Sequence, residues 1–196
     1  MTESSSAREN ETPIFLLKTK SSPTDGYEEL FSKGDGELKF RPVFVPVLEH
    51  KFLDDGLQTV RELLHDKRIG KDSSCKYGGL IFTSQRAVEA FAKLVQEKHA
   101  AAAEELDGWP HLQDVPIYTV GPATTRALSA ISSSLNLFGA DTGNGEALAH
   151  FILDHYSGWY ESRERKPPLL FSVGEQRRDI IPRTLMDPAL PEDRRI

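Results

Sequence analysis

Short apolar runs that alternate with longer stretches of helical spacing constrain this chain more than any other feature. Leu53–His65 carries Leu53, Leu57, Val60, Leu63 and Leu64 at helical intervals. Gly79–Phe82 (GLIF) is an apolar run of strand length, and Ser84–Lys98 then places Ala87, Val88, Phe91, Leu94 and Val95 on one helical face. The run Ala100–Glu105 extends that helix or starts another. Further strands are predicted at Ile117–Val120, Leu135–Phe138 and Leu169–Phe171, and further helices at Ala123–Ser132, Gly145–Tyr156 and Gln176–Leu185. Strands that alternate with helices predict an α/β fold, a mostly parallel sheet with helices on both faces, because each parallel connection crosses a face of the sheet. Ligands bind such sheets outside the carboxyl ends of the strands. The search for function therefore narrows to four loops.

The N-terminal part is less regular. Residues 1–12 read as a disordered tail, and Ile14–Leu17 (IFLL) as a short buried strand. Residues 21–39 are rich in Ser, Gly and charge, with a short helix around Tyr27–Phe31. Val43–Leu48 (VFVPVL) reads as a second strand; Pro46 cannot donate to a ladder, which puts that strand at an edge or a crossing point. The 196 residues are 38% hydrophobic and 28% charged, which are globular values. With 24 Lys and Arg against 30 Asp and Glu, the net charge of −6 argues against a nucleic-acid partner. Cys75 is the only cysteine, so no intramolecular disulfide forms, in keeping with a reducing compartment. The first ten residues lack the apolar core of a signal peptide, and no apolar run approaches the ~18 residues of a membrane helix. The expected address is the cytoplasm.

In the first loop, Phe82-Thr83-Ser84-Gln85-Arg86, the hydroxyls of Thr83 and Ser84 stand where a strand turns into a helix. They either cap the helix or, with its free amides, receive a carboxylate. In the second, Val120-Gly121-Pro122-Ala123-Thr124-Thr125, Gly121 lets the backbone approach a ligand, and Pro122 suits a first helical turn. Thr124 again either caps or binds. The third, Asp141-Thr142-Gly143-Asn144-Gly145-Glu146, is a partial dinucleotide fingerprint whose third glycine position is Leu148; it reads as a turn before a helix. The fourth, Val173-Gly174-Glu175-Gln176-Arg177-Arg178, brings a glycine and two arginines, either a solvated face or a carboxylate clamp.

The chain contains no GxxxxGK[ST], no HExxH, no CxxC and no GxSxG. His150 and His155 are five apart rather than the four that aligns two ligands on a helix. What remains suits a polyanionic organic molecule held by amides, hydroxyls and arginines, with no cofactor and no metal.

Read in order, the pieces IFLLK (14–18), VFVPVLEHKF (43–52), YGGLIFTSQRAVEAF (77–91), IYTVGPATTRAL (117–128), TGNGEALA (142–149) and PLLFSVGEQRRDIIPRTL (168–185) resemble the uroporphyrinogen-III synthase family. The resemblance covers residues 14–186, and the style of the insertions is similar to fungal members. It implies two α/β lobes joined by a two-strand ladder, one lobe inserted into the other, with substrate in the cleft between them. On that plan, residues 13–42 are the strand–helix start of the first lobe and 43–52 the outgoing ladder strand. Residues 53–186 are the inserted lobe, and 187–196 a truncated tail. The rest of the first lobe is missing, so its single strand is expected to be poorly supported.

The implied reaction closes hydroxymethylbilane to uroporphyrinogen III, inverting the last pyrrole ring and losing water, with no cofactor. The implied substrate contacts are Thr83, Ser84, Gly121, Thr124, Gly174 and Gln176. The family's candidate proton donor is a tyrosine on the returning ladder strand, for which no residue here stands, so the catalytic residue is unknown. Gln85 departs from the proline common in the family's first loop. Full-length members are expected to act as monomers on a small polycarboxylate, without nucleic acid or membrane; this truncated chain is expected to be weak or inactive. The alternative is a non-catalytic, flavodoxin-like ligand-binding module.

Overall fold

The computed structural model describes residues 11–21, 24–34, 38–47, 54–101, 111–163, 165–172 and 179–196. They fall into two compact units, Met1–Lys51 and Phe52–Ile196.

The first unit holds strand β1 (Glu11–Leu16), helix α1 (Gly26–Ser32) and strand β2 (Lys39–Phe44), with β1 and β2 paired in parallel. α1 starts at the buried Asp25, whose carboxylate accepts from the amides of Ser21 (2.8 Å), Tyr27 (3.0 Å) and Glu28 (3.4 Å) and meets the Lys18 ammonium at 2.6 Å. The Lys18 hydrogen bond, with the amides behind it, holds that carboxyl well below the usual carboxylate range. Phe31 of α1 packs edge-on against Phe40 of β2, their ring centroids 6.4 Å apart.

Two boundaries differ from expectation here. β1 begins at Glu11, inside the stretch read as a tail. The strand placed at Val43–Leu48 is found at Lys39–Phe44, so Pro42 and not Pro46 lies within it. The Val45 amide donates to Leu16 O at 2.9 Å. By the alternation of a strand, the nitrogen of Pro42, three residues earlier, points away from β1, on the side where no ladder donor is required. The first strand therefore has a partner within the chain, although Phe15 and Leu17 stay exposed at 64% and 66%.

The second unit follows the predicted alternation: α2 (Asp54–His65), β3 (Leu80–Phe82), α3 (Gln85–Ala101), β4 (Pro116–Thr119), α4 (Gly121–Ser129), β5 (Asn136–Phe138), α5 (Gly145–Trp159), β6 (Leu170–Ser172) and α6 (Ile180–Leu185). The four strands form one parallel sheet in the order β5-β4-β3-β6. Each central strand sends alternate side chains to opposite faces. Leu80, Phe82 and Ile117 join Leu63, Leu64, Val88, Phe91, Val95 and Leu128 from α2, α3 and α4. Ile81 and Tyr118 join Leu148, Ile152, Tyr156, Ile181 and Leu185 from α5 and α6. Both faces are thus covered, as a parallel sheet requires.

At the amino edge of the sheet two buried hydroxyls act as pins. Tyr156 donates to Pro167 O at 2.8 Å, and Tyr160 donates to Gly78 O at 2.7 Å. The last residues are held as well: Leu190 and Ile196 pack against the α5–α6 core, the Ile196 amide donates to Leu185 O, and Arg194 pairs with Asp154 at 2.6 Å.

Candidate functional site

The strand ends that precede the loops singled out in the sequence lie along the carboxyl edge of the second sheet. In the ladder Phe82 stands opposite Thr119 and Ser172, so the loops after β3, β4 and β6 emerge side by side. The connections after β3 and β6 diverge: α3 joins the core of one face and α6 that of the other. Such a point, where successive crossovers part, is where open α/β sheets hold ligands.

Thr83 is the first residue beyond β3 and is half-buried. Ser84 is exposed, and its hydroxyl accepts from the Ala87 amide at 3.2 Å. It is the N-cap of α3, the plainer of the two roles open to it. Ser84→Ala should therefore lower stability by about 1 kcal/mol. Thermal melting reads that loss, and Ser84→Asn, which can cap, should restore most of it; a melt unaffected by the alanine would refute the capping role.

Gly121 opens α4 with φ +77°, a left-handed conformation that favours glycine. The N-cap is Val120, which offers no side-chain acceptor, and its own amide is spent on Phe82 O at 3.2 Å. Pro122 has no amide hydrogen, so Gly121 and Ala123 are the uncapped donors of this turn. A helix start of this kind, without an acidic residue in its first turn, carries positive potential toward an anion.

Thr124 is 4% exposed and lies on the same α4 stripe as the fully buried Leu128. The helix begins two residues earlier than expected, so Thr124 is its fourth residue and not its second. Gly174 and Gln176 lie outside the described residues.

Sequence reasoning missed the web behind this rim. Thr119 Oγ1 lies 2.6 Å from Thr125 Oγ1 and 3.3 Å from Phe138 O, and Thr125 Oγ1 donates to Gly121 O at 3.1 Å. Thr142 Oγ1 donates to Gly139 O at 2.6 Å, and Asn144 caps α5 by accepting from Ala147 N at 2.9 Å. No periodic spacing could have flagged this bond, because Thr119 and Thr125 are six residues apart across the turn into α4. Arg86 adds a half-buried guanidinium in the first turn of α3. Among the described residues no three His, Cys, Asp or Glu side chains gather as a metal site, and no helix is long and apolar enough to cross a membrane.

A family model described as uroporphyrinogen-III synthase HemD matches residues 31–190. The uroporphyrinogen-III synthase of Schizosaccharomyces pombe is 38% identical over 172 residues, covering 88% of this chain and 60% of the relative. That of Saccharomyces cerevisiae is 36% identical over 181 residues, covering 88% and 57%. The chain thus spans about six tenths of the length of these relatives.

Proposed function

Because this chain belongs to the uroporphyrinogen-III synthase family, we propose that it supplies a binding rim on which hydroxymethylbilane is held for closure to uroporphyrinogen III. The observation that carries this reading is the uncapped first turn of α4 beside Thr83 and the α3 N-terminus, on adjacent central strands. Amides at a helix start, a hydroxyl and the Arg86 guanidinium suit the carboxylates of a linear tetrapyrrole. Thr83, Gly121 and Arg86 are the direct contacts. Ser84 and Thr124, one a cap and the other buried, shape the loops that present them. Gly174 and Gln176 retain the contact role that the family resemblance gives them.

The chemistry asks little of the protein beyond position. Hydroxide leaves the hydroxymethyl carbon, the pyrrole nitrogens stabilise the cation left behind, and ring closure followed by proton loss completes the removal of water. For the inverted product the methylene cation bonds first to the substituted α carbon of the terminal ring, the bond from that carbon to its old bridging methylene breaks, and the freed methylene bonds the ring's other α carbon, which then loses its proton. The protein's part is to hold the ring for the first of these bonds, an effect of proximity rather than of a reactive side chain. The site of action is the cytoplasm, in keeping with the single cysteine.

Two measurements test this. Uroporphyrinogen III kept under nitrogen should bind the chain saturably by calorimetry. Hydroxymethylbilane incubated with the chain should give type III isomer above the type I product of spontaneous closure. Absence of both binding and type III product would overturn the reading.

A further inference from the structure

His155 sits on α5 within a ring of aromatic side chains. Its imidazole centroid is 4.4 Å from that of Phe138, 5.1 Å from Phe151 in a stacked pair, 5.8 Å from Tyr118 and 6.5 Å from Trp159. Its Nδ1 lies 3.0 Å from the hydroxyl of Tyr118. Tyr118 is wholly buried in β4, and His155 is the partner its hydroxyl has among the described residues. A buried hydroxyl proton needs an acceptor. The hydroxyl therefore donates, Nδ1 accepts, and the uncharged ring carries its hydrogen on Nε2. A proton added at Nδ1 would turn that acceptor into a donor and leave the Tyr118 hydrogen without a partner.

Among the described residues no carboxylate pairs with this ring to offset a positive charge. On α5, Asp154 is taken by Arg194 at 2.6 Å, and Glu146 and His150 are exposed. Tyr156 and Tyr160 donate to Pro167 O and Gly78 O. The loop before β3 brings only Lys71, over the Trp159 ring at 5.7 Å. Around α6 stand Asp179 and Arg183, and neither forms an ion pair with His155 among the described residues. β4 contributes Tyr118 alone and β5 no titratable group. Burial lowers the His155 pKa from its ordinary value.

The contact is wired to the carboxyl edge. Tyr118 stands opposite Phe138 in the ladder, and both rings touch His155. The next residues are Thr119 and Gly139, which anchor the hydroxyl web around Gly121 and Thr142.

We propose that the His155–Tyr118 hydrogen bond is a proton-operated latch: with the imidazole uncharged it holds α5 against β4 and β5 and fixes the Thr119–Gly121 turn, and proton uptake at Nδ1 releases both. This goes beyond the reading of the rim as a tetrapyrrole site and does not depend on it. The sign follows from linkage. A histidine disfavoured as a cation in the folded chain leaves stability intact above its unfolded pKa of about 6.5, and stability falls as pH drops from there toward the folded value.

Imidazole and backbone nitrogen NMR of the full chain tests the latch without any activity readout. Nδ1 should show the shift of an unprotonated nitrogen at neutral pH. His155 should titrate below a free histidine peptide, and the Gly121 amide should move with the same midpoint. In Tyr118→Phe the His155 midpoint should rise. In His155→Phe, which keeps a ring in the cluster, Gly121 should stay still across the same range. A hydrogen on Nδ1 in the neutral chain would overturn the latch. So would a Gly121 amide that ignores the His155 titration, or one that still titrates in His155→Phe.

Discussion

Gly78→Ala should lose about 3–5 kcal/mol of stability, a large share of the roughly 5–15 kcal/mol that holds an ordinary domain together. An added Cβ would fall inside contact distance of Tyr156 Oη and Pro167 Cγ and 2.6 Å from Tyr160 Oη. Both tyrosines are buried, at 0% and 2% exposure, so either ring can yield only by disturbing the core around it. Overpacking alone costs about 1–3 kcal/mol. Displacing the rings also breaks the Tyr156–Pro167 and Tyr160–Gly78 hydrogen bonds, each contributing about 1 kcal/mol. Thermal melting should show a midpoint lower by roughly 10 °C or more, on the scale of a few degrees per kcal/mol for a unit of this size. A midpoint within a degree or two of the parent would mean that the two pins do not bear on stability.

The second large effect is at the opposite edge. Gly121→Val should weaken uroporphyrinogen III binding at least tenfold, a loss of about 1.4 kcal/mol. Space is not the obstacle, because a Cβ at Gly121 would meet only Thr142 O, at 3.9 Å. The φ of +77° is the obstacle, since a β-branched residue there costs roughly 1–2 kcal/mol. That strain is relieved by rotating the Val120–Gly121 peptide, which turns the Gly121 amide away from the rim. Calorimetry on the folded variant reads the affinity, and circular dichroism confirms that the second unit persists. Unchanged affinity in a folded Gly121→Val chain would remove the α4 N-terminus from the site.

Much of the second unit was legible in the sequence because its signals were local and agreed with one another. GLIF reads as a buried strand, the stripe Val88, Phe91 and Val95 reads as a helix on its face, and both hold within a residue or so. β2 was misplaced because Lys39, Arg41 and Pro42 look unlike a buried strand. Only pairing with β1 shows that Pro42 directs its missing donor outward. Ser84 and Thr124 illustrate the harder problem. A hydroxyl after a strand is written the same way whether it caps a helix, faces the core or waits for a ligand. What separates them is the first residue of the helix, and Gly121 rather than Ala123 opens α4 because glycine accepts the positive φ there. The Thr119–Thr125 bond and the His155–Tyr118 contact join residues whose proximity depends on how elements pack, and periodicity does not report that.

The strand order β5-β4-β3-β6 also has a consequence for how the chain is made. As synthesis proceeds, β3, β4 and β5 can zip together in the order they emerge. The outer flank of β3 must wait for Leu170, with all of α3, α4 and α5 built in between. Until then β3 offers the hydrogen-bonding edge of a wholly apolar strand, Leu80-Ile81-Phe82, to any other chain in reach. Translation speed and chaperone access over the α5 stretch should therefore govern the yield of soluble protein more than the final stability does, because the vulnerable species is the three-strand intermediate and not the finished sheet.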